Sequence, residues 1–120
     1  MDFRDGRSVA AGANSGNVLA GNAFEFAPRR PTAVMVYAVQ DDPTVAGDED
    51  LFLLDMLLGT SIVAQNYAVP KTSVDGTGPD RQDHLVASGV AAPGDRIVVS
   101  YRNGSANANR VRTLITFRPV

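Results

Sequence analysis

The feature that most restricts the fold is a turn–strand–loop–strand pattern over residues 91–119. Pro93 presets φ for the second residue of a turn, and Gly94 supplies the positive φ that a type II turn needs next. Ile97, Val99 and Tyr101 then alternate with Arg96, Val98, Ser100 and Arg102. A period of two is the mark of a half-buried antiparallel strand. Asn103-Gly104 opens a loop that runs through Asn109. Beyond it Val111, Thr113, Ile115 and Phe117 alternate with Arg110, Arg112, Leu114, Thr116 and Arg118, and Pro119 stops the run. The C-terminal strand is expected to pair with the Ile97 strand.

The preceding chain repeats this pattern. Thr32 to Gln40 is the strongest strand, apolar on both faces, so it belongs at a sheet centre or under a second subunit. Asn17 to Phe26 reads as the first strand, with a bulge at Gly21-Asn22. Residues 1–16 hold mostly Gly, Ala, Ser and Asn among Arg and Asp, and read as a flexible arm before a single domain over 17–120. Leu51 to Gly59 fits two descriptions. Acidic residues ahead of Leu and Met, with Gly59 behind, describe a short helix. Phe52, Leu54, Met56 and Leu58 alternating, then Gly59-Thr60 and a β-branched run, describe a hairpin of Leu51–Leu58 with Ser61–Val69, which is favoured. Pro70 to Asp83 is a long polar loop, and His84 to Val90 a short strand. Together these predict an all-β, antiparallel sandwich of seven or eight strands.

Composition removes several function classes. The 120 residues contain no cysteine, which excludes disulfides, thiolate metal sites and thiol catalysis. A net charge of −2 argues against general nucleic-acid affinity. No apolar run reaches the about eighteen residues of a membrane span, and Met1 to Arg7 does not read as a signal peptide, so a cytoplasmic start is expected.

Candidate chemistry is sparse. His84 stands near Asp80, Asp83 and Ser88, without a nucleophile elbow to complete a triad. Asp41 to Asp50 carries five carboxylates, but their spacing is not that of a calcium loop. Whether that loop binds a cation stays open. Gly76-Thr77-Gly78 lacks the lysine and helix of a phosphate loop. Tyr37, Tyr67 and Tyr101 offer a stacking platform, and Arg96, Arg102, Arg110, Arg112 and Arg118 a basic face for an acidic partner. No catalytic, cofactor-binding or metal-binding residue is assigned.

Gly16-Asn17-Val18-Leu19-Ala20-Gly21-Asn22-Ala23-Phe24-Glu25-Phe26-Ala27-Pro28, the Val-rich strand, the Leu-rich hairpin and Ala91 to Asn103 together resemble the small all-β capsid decoration, or cement, proteins of tailed bacteriophages. The resemblance lies in layout rather than in a diagnostic motif. It implies a jelly-roll-like sandwich and a non-enzymatic virion protein that binds the major capsid protein as a homotrimer on the capsid exterior, without membrane or direct nucleic-acid contact. Phe3, Arg4 and Arg7 of the arm, with Asp75 and Asp80 of the long loop, are the expected partner contacts. A carbohydrate-binding or adhesion module using the tyrosines and the long loop is the second reading. A cupin-like hydrolase or isomerase is the third, and a single histidine disfavours it.

Overall fold

The computed structural model describes residues 1–72 and 74–120. Seven strands follow in order: β1 (Asp2–Val9), β2 (Thr32–Gln40), β3 (Phe52–Leu58), β4 (Ser61–Ala68), β5 (Leu85–Ala91), β6 (Ile97–Asn103) and β7 (Asn109–Pro119). They form two antiparallel sheets, ordered β1-β7-β2-β5 and β4-β3-β6. Alternation does the work the sequence implied. Val34, Val36, Val111, Ile115 and Phe117 of the first sheet meet Phe52, Leu54, Met56, Ile97, Val99 and Tyr101 of the second in one core.

The eighth position of the sandwich is filled without a regular strand. Residues 13–27 run antiparallel along the free edge of β6. Ser15 N–H donates to the Tyr101 carbonyl at 2.8 Å, Val18 N–H to Val99 at 2.9 Å, and Ile97 N–H to Glu25 at 2.7 Å. With this segment counted, the chain crosses between sheets in the order of a jelly roll. The expected strand over Asn17–Phe26 is therefore corrected to a string of turns in a strand's place. Asn17 explains the difference. Its side chain accepts from Leu19 and Val99 N–H and donates to the Ile97 carbonyl, replacing ladder bonds that a regular strand would make.

Two more expectations are corrected. Residues 2–9 of the expected flexible arm are strand β1, paired with β7 from Asp2↔Thr116 to Val9↔Asn109. Its polar composition suits an edge, where charges discourage further pairing. On the inward-leaning face Asp5 and Arg7 neutralise each other through two bonds of 2.7 and 3.1 Å. The C-terminal strand pairs with β1 and β2 rather than with the Ile97 strand, since consecutive strands β6 and β7 lie in opposite sheets. Of the two descriptions of 51–58, the strand holds, preceded by one 3-10 turn at Asp48–Leu51.

β2 is central, as expected, and its own chain covers half of its outer face. Tyr37, Val39 and Leu114 are buried but outside the shared core. The 77–84 loop lies over this half. A Cβ added at Gly78 would sit 3.0 Å from Val39 Cγ1, and Arg112 donates to the Thr77 carbonyl at 2.9 Å. The loop thus replaces the second subunit that an all-apolar strand invites. Ser73, in the same predicted loop, lies outside the described residues.

Both turns read from the sequence form. Gly94 has φ 79° and closes with Asp95 N–H donating to Ala92 at 3.0 Å. Gly59 has φ 61° at the β3–β4 hairpin, and a Cβ there would meet Asp95 Oδ1 at 2.8 Å. Gly59→Ala is expected to cost about 1–3 kcal/mol, combining left-handed strain with that contact, read as a shift in the urea midpoint.

Candidate functional site

The four lateral edges of the sandwich differ in chemistry. β1 carries Asp2, Arg4, Asp5 and Arg7, and the free edge of β6 is covered by residues 13–27. β4 and β5 are the two remaining edges. Neither holds a charged residue or a proline, the usual guards of an open edge. They adjoin on one side of the molecule, because Gly89 of β5 lets Leu58 and Val63 of the hairpin pack against it. Val90 and Leu85, paired with Ala33 and Tyr37, stand exposed at 58 and 42% on the outer face of the first sheet. Ile62, paired with Leu57, is 63% exposed on the outer face of the second, and Tyr67, paired with the buried Leu54, is 46% exposed on the β4 margin.

The two edges are not equivalent. β4 shifts register twice against β3. Asn66, at φ 55°, forms part of one irregularity, held by its N–H to Asp55 at 2.9 Å while Arg102 reaches both Asp55 and Asn66. Such bulges blunt an edge for further pairing. β5 is regular from Ala87 to Ala91 against β2. Its outer backbone groups make the better template for strand addition.

The residues expected to contact partners are not brought to one place, and four of them make contacts within the chain. Phe3 packs edge-on to Phe24, with centroids 6.5 Å apart. Arg4 is exposed and shares a shallow cavity with Gly78, Pro79 and Arg112. Arg7 is paired with Asp5, and that hydrogen bond first, then its charge, raises the guanidinium pKa against the effect of burial. Asp75 accepts from Asp42 N–H at 2.9 Å, and Asp80 from Gln82 N–H at 2.7 Å. An Arg81–Asp2 ion pair of 2.8 Å ties the long loop to β1. These contacts fix the loop on the first sheet.

The other candidates disperse. Tyr101 is fully buried, Tyr37 nearly so and Tyr67 exposed, so no three-tyrosine platform forms. Arg96 and Arg102 belong to one sheet and Arg110, Arg112 and Arg118 to the other, so the expected basic face does not form either. Arg96, Arg102 and Arg112 are each paired with a carboxylate, Glu25, Asp55 and Asp41 respectively. His84 Nδ1 accepts the Asp80 N–H at 2.7 Å and closes a turn. In the acidic loop, Asp41 faces Arg112, Asp42 faces Lys71, Asp48 accepts from Asn107 and Glu49 from Gly47 N–H. Among the described residues no three such side chains converge as metal ligands would.

Sequence reasoning missed Gln40 and Glu25. Gln40 is fully buried and donates to the Glu49 and Val69 carbonyls at 2.9 and 2.7 Å while accepting from Asn109 at 3.0 Å. Its position at the polar end of an apolar run was the only signal. Glu25 binds Gly21 N–H and Arg96, and those two partners, the N–H first, lower its pKa. A carboxylate lowered in the folded state stabilises above its unfolded pKa and loses that effect as pH falls through the folded value. The 20–26 turn is therefore expected to loosen first below about pH 4, seen as faster amide exchange at Gly21. Comparison with known protein families, curated proteins and solved structures finds no match to this chain.

Proposed function

We propose that this chain is a non-enzymatic structural protein that associates with copies of itself and decorates the outside of a phage capsid through the major capsid protein. The observation that carries the proposal is the charge-free side formed by β4 and β5, with Ile62, Tyr67 and Val90 turned to water. A side of this kind is a liability in a monomer and an asset in an assembly. Jelly rolls serve in viral shells, lectins and cupins alike, so the fold alone does not choose among them. The three tyrosines that, with the long loop, suggested a sugar-binding module do not share one surface. Contacts repeated by a symmetric oligomer on a symmetric shell add avidity without large individual interfaces.

Light scattering is expected to give a mass near three times the 12.7 kDa of one chain. Val90→Lys, an exposed change on β5, is expected to return the protein to one chain's mass with its fold intact. Co-sedimentation with expanded capsids of the parent phage tests the shell contact. A monomer that leaves those capsids bare would end the proposal.

A further inference from the structure

At the end of the sandwich where β2 begins and β7 stops lies a cavity of about 500 Å³. Its volume falls in the range of small-molecule sites. Its walls are apolar. Phe24 and Phe117 stack with centroids 4.5 Å apart and planes within 8°, and Phe26 stands beside them 56% exposed. A phenylalanine left this open at the mouth of a cavity is surface that a ligand would cover.

Charge at the rim has one sign. Arg30, Arg118 and Met1, whose ammonium donates to the Phe117 carbonyl at 3.0 Å, all line the cavity, and no carboxylate side chain does. Arg7, Arg81, Arg96, Arg102 and Arg112 have carboxylate partners, whereas Arg30 and Arg118, like Arg4, Arg29 and Arg110, have no ion pair among the described residues. Two guanidiniums without an ion pair thus stand beside an aromatic floor, where a planar, weakly hydrated fork can meet a carboxylate.

We propose that this cavity binds a small anionic amphiphile, an alkyl or aryl carboxylate whose apolar body lies against Phe24, Phe26 and Phe117 and whose carboxylate meets Arg30 and Arg118. The site goes beyond the capsid reading and does not depend on it. Binding here uses only one chain's residues, on surfaces separate from the β4–β5 side.

The test is a titration followed by amide chemical shifts, with decanoate and decanol as probes below their micelle concentrations. Decanoate is expected to give saturable shifts confined to the surroundings of Phe24, Phe26, Thr32 and Phe117. It is expected to bind roughly tenfold more tightly than decanol, the scale of two exposed ion pairs. Both arginines are exposed, so the Arg30→Gln/Arg118→Gln double variant keeps the fold and is expected to bind the two probes equally. Phe26→Ser is expected to weaken both. Absent or scattered shifts, or a carboxylate preference that survives the double variant, would overturn the proposal. Neither result depends on the oligomer mass, so failure here is distinguishable from failure of the capsid reading.

Discussion

Tyr101→Ala is expected to lower the unfolding free energy by about 3–5 kcal/mol, enough to unfold much of the protein at room temperature if its stability is at the low end for a domain. Tyr101 is fully buried, its ring packs against Phe52 at 6.0 Å, and its hydroxyl meets Thr113 Oγ1 at 2.6 Å. That bond crosses from the second sheet to the first. Tyr101→Phe separates the contributions. It keeps the ring and leaves the buried Thr113 hydroxyl without its partner, for an expected cost of about 1–2 kcal/mol. Urea unfolding of the two variants measures both, and equal losses would show that the hydroxyl rather than the ring carries the effect. Burial also raises the Tyr101 pKa, against the smaller opposing effect of the Thr113 bond. Its ordinary value is about 10. A group raised in the folded state gives its full stabilisation below the unfolded pKa and loses it as pH rises toward the folded one. Wild-type stability is thus expected to decline above about pH 10, and that part of the decline to vanish in Tyr101→Phe.

Gln40→Leu is the second large effect, at about 2–4 kcal/mol. Leucine matches the volume but makes none of the three bonds that join the 3-10 turn, the end of the β4 hairpin and the start of β7. The Val69 carbonyl would lose a buried donor. Amide exchange should rise around Asp48–Leu51 and Thr72 before the rest of the sandwich responds, because Thr72 N–H itself donates to the Gln40 carbonyl. Uniform acceleration would show instead that Gln40 holds the whole core.

The sheet strands were legible wherever one face is wet and the other dry. Ile97 to Asn103, Phe52 to Leu58 and Arg110 to Arg118 announce themselves by alternation, and the Gly59 and Gly94 turns by glycine placement. β1 was not legible, because its partners lie far along the chain, from Asp2↔Thr116 to Val9↔Asn109, and its side chains at a sheet margin are charged. Residues 17–26 misled in the opposite direction. Their apolar residues do reach the core, but Asn17 and Asn22 bond the local backbone and break the ladder. Strand neighbours were misassigned for a related reason, since a jelly roll sends consecutive strands to different sheets. The open side of β4 and β5 was hidden because being at an edge is a property of the assembled sheet, and nothing in Leu85 to Ala91 marks it apart from missing charge.

The place of β7 has a kinetic consequence. β7, the last of these seven strands in chain order, is the one inserted between β1 and β2. Until residues 109–119 emerge, β1 has no neighbour to hydrogen-bond, and the nascent chain keeps a vacant slot in the middle of its larger sheet. Completion of that sheet waits for the synthesis of residues 109–119, and contacts of such long sequence separation close slowly.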